Sequence, residues 1–306
     1  MKKKNMAMVL AGMMAVSAFS VNAFAEETVT EVSTEALTEA AYTLEEVELG
    51  DGKVVIYDFG TEKLHAYLTG DALGNVAYIV ESDDALVGIE LPSFTDGLEN
   101  WKNYAESLGK EMNDIFLCDH VTGASYIEGM NVYGTQGAAD SIESGSTYAT
   151  TAGLYESFGD DFHGGDDIAK INTVVEGSVE VGGINFTLID RGETYDLEIP
   201  SMNVVYTHML GKTSHSIITS MEHADAMTAS LEEYQSKGYD MILTSHGGPE
   251  GQDAVAEKIS YVATVKELRE ANDTQEGFLA AMKAAFPEYT GENYLEMTAG
   301  SLYAAE

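Results

Sequence analysis

The order of its predicted strands and helices is the feature of this sequence that most restricts its fold. Short β-forming segments separated by Gly and Asp come first, helical segments follow, and the same succession occurs a second time. The predicted strands are 53–59, 64–69, 75–82, 85–91, 115–117, 171–175, 178–181, 184–190, 202–208 and 240–246. The predicted helices are 96–108, 135–158, 222–237, 252–271, 275–286 and 293–303. This order predicts two sheets, each covered on one face by helices. We therefore expect one α/β (α+β) domain, a four-layer αββα sandwich with a helical C-terminal extension.

The N-terminal 25 residues have the pattern of a secretory signal peptide. Lys2, Lys3 and Lys4 precede a short apolar run, and Ala23-Phe24-Ala25 supplies the small residues of a cleavage site. We expect cleavage after Ala25 and a secreted, extracellular protein; the alternative is an uncleaved membrane anchor. Residues 26–44, rich in Thr and Glu, predict a disordered acidic spacer, and 45–306 the folded domain. No later segment has about 18 continuous apolar residues, so the mature chain should lack a membrane span.

The net charge limits the kind of partner that the chain can bind, and the cysteine count limits its cross-links. The formal net charge is -37, and removal of residues 1–25, which carry three lysines and no acid, takes it to about -40. Such a surface repels nucleic acid and anionic membranes, so a small-molecule substrate or ligand is the expected partner. The oligomeric state does not follow from the sequence. Cys118 is the single cysteine, which excludes an intramolecular disulfide; it is either a buried thiol or a soft metal ligand.

Histidines and acids at predicted strand ends are the candidates for chemistry. The sequence contains no P-loop, no G-x-G-x-x-G after a strand, no G-x-S-x-G and no H-E-x-x-H. Zinc uses His and carboxylate ligands, three or four from the protein, with one position open in a catalytic site. The candidate residues are Asp119, His120, Glu193, His208, His215 and His246. Each also has a structural interpretation, such as a turn cap for Asp119 or a surface carboxylate for Glu193. His65, His163 and His223 are expected to be structural or exposed.

Five blocks of the sequence, in order, resemble the metallo-β-lactamase superfamily. They are "NVAYIVESDDALVGIELP", "IFLCDHVTGA", "VGGINFTLIDRGET", "IPSMNVVYTHM" and "YDMILTSHGGP". The first block resembles the family's opening hairpin, with Glu90 where the family usually has Asp. The resemblance covers most of residues 45–303 and implies the αββα sandwich with one or two metals between strand ends.

Residue by residue, the resemblance is incomplete. Asp119 and His120 match the end of the family's H-x-H-x-D-H motif. The two preceding histidines are absent: their positions fall on Ile115 and Leu117, or on a deletion of about four residues before Cys118. The family's first metal site therefore loses two ligands.

The later blocks carry the remaining candidates. Glu193 stands where most members have a third His, and His208, or Met209 in an equally good alignment, stands near the bridging Asp. His246 matches the last His, so the family's second metal triad survives as Asp119, His120 and His246. A weaker similarity to alkylsulfatase-like members brings Glu193 and His215 towards the same cleft.

Three functions are compatible with these residues. The first is a secreted metal-dependent hydrolase with a single zinc ion, in which Asp119, Glu193 and His208 take part in catalysis. The second is an inactive member, with or without a metal, that binds a ligand or partner in the old cleft. The third is an extracellular structural or adhesive domain without metal. Whether the chain is an enzyme is not determined by its sequence.

Overall fold

A computed structural model describes residues 42–304. The predicted signal peptide and nearly all of the predicted spacer lie outside these residues. The first strand begins at Thr43, slightly before the predicted domain boundary at residue 45, and Tyr42 packs its ring on Tyr57 and Phe59.

Thirteen strands of the described residues form two mixed sheets. The N-terminal sheet has the order β1-β2-β3-β4-β5-β6-β7-β8, with antiparallel pairing up to β5 and parallel pairing beyond it. The C-terminal sheet has the order β13-β12-β11-β10-β9, and only its β12–β13 pair is parallel. The strands are β1 (Thr43–Leu49), β2 (Gly52–Asp58), β3 (Lys63–Leu68), β4 (Val76–Glu81), β5 (Ala85–Ile89), β6 (Glu111–Phe116), β7 (Asn131–Gly134), β8 (Thr173–Val174), β9 (Gly177–Val181), β10 (Ile184–Asp190), β11 (Tyr195–Ile199), β12 (Val204–Thr207) and β13 (Met241–Thr244).

Helices cover the outer faces of both sheets. They are α1 (Thr95–Ser107), α2 (Gln136–Ser144), α3 (Ser146–Phe158), α4 (Met221–Lys237), α5 (Gln252–Ala271), α6 (Gln275–Ala285) and α7 (Glu292–Tyr303), with short 3₁₀ turns at Ala124–Ile127 and Gly159–Asp161. Within residues 42–304, none of the helices combines the length and the apolar composition of a membrane span.

The core has three apolar layers because central strands bury both of their faces. On β4, Val76 and Tyr78 face the other sheet, while Ala77 packs with Trp101 of α1 on the outer side. In the C-terminal sheet, Tyr206 points inward and Val205 outward into the α4–α7 layer. Period-two alternation of this kind produces sheet-on-sheet contact with helices outside.

This arrangement confirms the predicted four-layer αββα sandwich and its C-terminal helices. Three strands, β1, β7 and β11, were not predicted. In β11 the alternation is broken by Asp196, which is buried because Arg191 pairs with it at 2.7 Å. The helical region predicted as 135–158 divides at Gly145 into α2 and α3.

Candidate metal centre

Three strand ends bring three histidines to one edge of the sandwich. His208 follows β12 and His246 follows β13 closely, and because these strands are parallel their carboxyl ends lie side by side. His120 lies in the loop after β6 of the other sheet. The two sheets meet at this edge, where Asn75 bridges His246 and the N–H of Val76 donates to the carbonyl of Ser245 at 2.8 Å.

The three imidazoles are close enough to share one ligand. Their candidate ligand nitrogens all lie within 4.8 Å of one another. The ring centroids are 5.4 Å apart for His120–His208, 4.9 Å for His120–His246 and 5.0 Å for His208–His246, each pair edge to face. Asp119 adds a carboxylate, with its Oδ2 3.6 Å from His208 Nδ1.

The hydrogen bonds of these rings leave nitrogens free. His246 Nδ1 lies 3.0 Å from the Leu73 carbonyl, an acceptor, so Nδ1 carries the proton and Nε2 keeps its lone pair. His120 Nδ1 and His208 Nδ1 are buried without a hydrogen-bond partner. A carbonyl partner that holds the tautomer of a ligating imidazole is a common feature of protein metal sites.

Burial keeps two of the imidazoles neutral. Desolvation, and then the neighbouring histidines, hold the pKa of His120 well below its ordinary value. Desolvation, followed by His208, lowers the pKa of His246 to about 4. A metal ligand must be the neutral ring, so both residues are ready to coordinate at neutral pH.

The donor set fits a zinc ion. The two orphaned buried nitrogens would each cost about 1–3 kcal/mol if nothing bonded to them. Three imidazoles and a neighbouring carboxylate form a ligand set that zinc accepts in catalytic sites. His120, His208 and His246 are therefore the residues that would hold the ion, with Asp119 beside them.

A fully buried glutamate fixes the loop that carries His120. The backbone N–H groups of Cys118 and His120 donate to the Glu90 carboxylate at 2.9 and 2.6 Å, and the Tyr206 hydroxyl donates to it at 3.0 Å. Glu90 itself has the left-handed backbone angle φ 59, which is rare outside glycine and marks a position under strain. Burial, and then the charge of Asp119, raise the pKa of Glu90 to about 8.

A second glutamate ties together the two loops of the C-terminal sheet. Glu250, four residues after His246, accepts hydrogen bonds from the N–H groups of Gly211 and Lys212, both at 2.7 Å. The N–H of Ser245 also donates to the carbonyl of His208 at 2.9 Å. The loop after β12 is thus attached to the loop after β13 at His208 itself and again at Gly211 and Lys212.

Apolar side chains occupy the positions of the missing histidine pair. Ile115 and Leu117 are both 0% exposed and pack with Trp101 in the outer layer of the N-terminal sheet. Leu117 continues the parallel pairing of β6 by donating its N–H to the carbonyl of Tyr133. These two positions therefore contribute to the core and not to the site.

Glu193 lies apart from the histidine cluster. Its carboxylate accepts the N–H of Ser146 at 3.1 Å and lies 3.4 Å from the Ser141 hydroxyl. These hydrogen bonds, that from Ser146 first, lower its pKa. Ser146 is the first residue of α3, so the exposed Glu193 satisfies a free N–H at a helix N-terminus, where a negative charge is favoured.

His215 also lies elsewhere, between helices of the C-terminal layer. Its Nδ1 is 3.1 Å from the Tyr261 hydroxyl, and its ring packs against Phe286 and Tyr289. Desolvation is the main cause that lowers its pKa. Among the described residues, the group of clustered imidazoles includes His208 but not His215.

The three histidines expected to be structural or exposed have protein partners of their own. His65 contacts Glu81 at 2.9 Å and Tyr104 at 2.7 Å. His163 contacts Asp167 at 2.6 Å. His223 Nδ1 accepts the N–H of Thr219 at 3.2 Å.

Cys118, Glu90 and Asp119 form a second close group of potential ligand atoms. Burial is the main cause that raises the pKa of Cys118 well above its ordinary value, and its Sγ is 2.8 Å from the Thr194 hydroxyl. A thiol with a raised pKa is a poor ligand, and the Glu90 oxygens are already used by N–H and O–H donors. Cys118 is therefore a buried thiol here, which is the first of its two interpretations.

A cavity of about 360 Å³ opens above the histidines. Asp119, His120, His208 and His246 line its floor, and residues of α3 and α7 supply parts of its wall. This volume falls in the range of small-molecule sites, about 300–1,000 Å³. The cluster is thus accessible to a small molecule.

Sequence reasoning missed several residues of this region. Glu250 follows "HGGP" without any pattern that marks it. The wall residues Thr147, Thr151, Tyr294 and Met297 were counted only as parts of predicted helices. Glu90 was recognised by position but not as the residue that holds the His120 loop. A helical wheel of α3, on which its threonines share one face, was the available signal.

Comparison with known proteins gives structural similarity at low sequence identity. The stereoselective inverting sec-alkylsulfatase Pisa1 from Pseudomonas sp. matches with a TM-score of 0.55 at 15% identity, covering 82% of this chain and 48% of that chain. A double mutant of the sec-alkylsulfatase PisA1 matches with a TM-score of 0.55 at 14% identity, covering 85% and 50%. A metallo-β-lactamase family protein from Thermus thermophilus matches with a TM-score of 0.54 at 12% identity, covering 78% and 91%.

No family model matches the sequence, and no curated protein is significantly similar to it in sequence. The chain spans about half the length of the sec-alkylsulfatase structures that it resembles. Two sheets packed face to face with helices outside agree with the structural matches. The chain has the metallo-β-lactamase fold.

Proposed function

We propose that this protein is a secreted, metal-dependent hydrolase with a single zinc ion held by His120, His208 and His246. The observation that carries the proposal is the convergence of three imidazoles, two of them with unpartnered buried Nδ1 atoms, at the floor of a ligand-sized cavity. One structural neighbour is named as a sec-alkylsulfatase and another as a metallo-β-lactamase family protein, which agrees with a hydrolase.

The residues at the cavity floor suit the hydrolysis of a bound small molecule. A zinc ion bound here would polarise the scissile group of a substrate and lower the pKa of a water molecule. Asp119 is partly exposed and lies 3.6 Å from His208, so its carboxylate is placed to accept a proton from an attacking water. The Thr194 hydroxyl, 3.4 Å from Asp119 Oδ2, orients this carboxylate.

A non-hydrolytic binding protein is the alternative. The apolar Ile115 and Leu117 favour it, because a second metal has no imidazoles at these positions. Such a protein would use the same cavity and would bind a ligand without converting it. Zinc content together with a hydrolysis assay separates the two functions.

The proposal is tested by zinc binding to the chain purified from the culture medium, whose first residue is expected to be Glu26. We expect about one zinc per chain and metal-dependent hydrolysis of a p-nitrophenyl ester or sulfate. Asp119→Ala should abolish hydrolysis. His246→Ala should lower zinc affinity by more than about 100-fold, since the loss of a ligand's outer hydrogen-bond partner alone costs about 10–100-fold.

His223→Ala is the matched control, because it removes an imidazole outside the cluster. It should leave both zinc content and hydrolysis unchanged. Absence of bound zinc at micromolar supply would contradict the proposal. One bound zinc without hydrolysis of any substrate would favour the binding protein.

A further inference from the structure

The walls of the cavity differ in chemistry from its floor. Thr147, Thr150, Thr151 and Leu154 follow the spacing of one helical face and form the wall supplied by α3. The remaining apolar lining residues come from loops and from α7. They are Leu73, Val121, Phe162, Met209, Ile217, Tyr294 and Met297.

Two methionines stand at the solvent side of this cavity. Met209 is 40% exposed and Met297 is 43% exposed. Methionine is flexible and polarizable, so such a mouth adapts to apolar groups of different shape. An exposed apolar rim that leads to a ligand-sized cavity indicates a surface that binds apolar groups.

The charges around the cavity disfavour anions. Asp119 is the acid at its floor, and within the described residues no lysine or arginine side chain lines it. The whole chain has 52 acidic residues against 15 lysines and arginines, which adds long-range repulsion. A sulfate or phosphate ester would have to leave water for a cavity in which the proposed zinc ion is the only cation and no cationic side chain assists it.

We infer that the substrate is an uncharged carboxylic ester or lactone with an apolar chain, and not a sulfate or phosphate ester. This inference rests on the hydrolase function proposed above. The apolar chain would lie between α3 and α7, and the threonine hydroxyls can donate hydrogen bonds to an ester oxygen. In the reaction, the oxygen of water bonds to the acyl carbon and the acyl C–O bond breaks. One proton of the water passes to the leaving alcohol oxygen, and the other is released to solvent from the acid product. The carboxylate product is negatively charged at neutral pH, so the acidic surroundings favour its release.

The test compares p-nitrophenyl acetate, butyrate and hexanoate with p-nitrophenyl sulfate and phosphate on the zinc-loaded chain. We expect kcat/KM to rise with acyl length, by up to about four-fold for each fully buried methylene. The sulfate and the phosphate should react at least about 100-fold more slowly than the hexanoate.

Two lysine substitutions in α3, one inside the cavity lining and one outside it, test the apolar contact. Leu154→Lys should lower kcat/KM for the hexanoate by at least about ten-fold, because the apolar chain must then pack against an ammonium group. Tyr155→Lys adds the same charge to the next residue of α3, outside the lining, and should change it less than two-fold.

The outcomes separate this inference from the proposed function. Zinc-dependent hydrolysis that prefers the sulfate or the phosphate, or that does not depend on acyl length, overturns the inference and leaves the hydrolase intact. Equal effects of Leu154→Lys and Tyr155→Lys also overturn it. A zinc-loaded chain that hydrolyses none of the five compounds overturns the proposed function and the inference with it.

Discussion

The two halves of the sandwich hold their histidines in different ways. In the N-terminal half, one buried carboxylate, Glu90, collects backbone N–H groups from the loop of His120 and the Tyr206 hydroxyl of the other sheet. In the C-terminal half, His208 and His246 stand on loops joined by Glu250, which is partly exposed to solvent.

This difference in burial indicates which of the three histidines can change position. Hydrogen bonds in a dry core are expensive to break, because the unpaired groups cannot turn to water. Hydrogen bonds at the surface can be replaced by water at small cost. His120 should therefore be the rigid ligand, and His208 and His246 the pair that can shift to complete a metal site.

Removal of the buried carboxylate should have the largest effect. In Glu90→Ala, the N–H groups of Cys118 and His120 lose their acceptor inside the core, and the Tyr206 hydroxyl keeps only Ser245 as a partner. We expect the free energy of unfolding to fall by about 3–5 kcal/mol, since each buried unpaired group costs about 1–3 kcal/mol. Chemical denaturation in urea measures this change.

Glu90→Gln is the control, because it keeps the shape and one acceptor oxygen and should lose clearly less stability than Glu90→Ala. A loss below about 1 kcal/mol in Glu90→Ala would show that Glu90 holds the His120 loop no more firmly than Glu250 holds the His208 loop. It would contradict the expectation that His120 is the rigid ligand.

Removal of the partly exposed carboxylate should have an intermediate effect. Glu250→Ala frees the N–H groups of Gly211 and Lys212, so the loop of His208 loses its attachment. We expect a loss of about 1 kcal/mol in stability, because water can replace the lost acceptor, and a loss of about ten-fold in zinc affinity, which calorimetric titration measures.

Asp253→Ala provides the comparison for this second change. Asp253 pairs with Lys212 at the surface, at 2.5 Å and with 69% of its side chain exposed. Exposed ion pairs contribute little to stability, so this variant should retain zinc affinity. Equal zinc losses in both variants would mean that Glu250 has no special part in placing His208.

The smallest effect concerns a buried lysine that supports the same loop. Lys258 of α5 is 1% exposed and donates to the carbonyl of Ser214 and to the Ser216 hydroxyl, 3.1 Å away. Burial is the main cause that lowers its pKa to about 8, against the nearby charges of Glu250 and Glu257, which raise it. Above this pH the folded chain binds fewer protons at Lys258 than the unfolded chain, whose lysine titrates near 10.5.

Stability from this lysine should therefore rise as pH increases from about 8 to about 9.5, by at most about 1.4 kcal/mol per pH unit. Lys258→Met should remove that rise, which thermal unfolding at several pH values measures as a difference between the two proteins. Parallel pH profiles for the wild type and Lys258→Met would show that the lysine is charged in the folded protein across this range.

The fold could be predicted because its signals are local. Strand and helix patterns determined the order of layers, and they failed where a tertiary contact replaced the pattern, as in β11, whose Asp196 is buried against Arg191. The blocks around His120, His208 and His246 marked strand ends, and parallel pairing then brought two of them together.

Side chains that act on backbone groups could not be predicted in the same way. Glu90 and Glu250 bind N–H groups of distant loops, and no residue spacing in the sequence records such a contact. For Glu193 and His215, their position near the family blocks suggested the site, whereas the structure places one at a helix N-terminus and the other among aromatic rings.

The last helix, α7, contributes side chains to both the cavity and the apolar core. Tyr294 and Met297 of α7 line the cavity, while Leu295 and Ala299 are buried in the apolar layer of the C-terminal sheet. Any molecule that fills the cavity adds contacts to one face of a helix whose other face is already docked. Occupancy should therefore slow the fraying of α7 and the exchange of its amide hydrogens, so that the state of the site is reported at the end of the described chain.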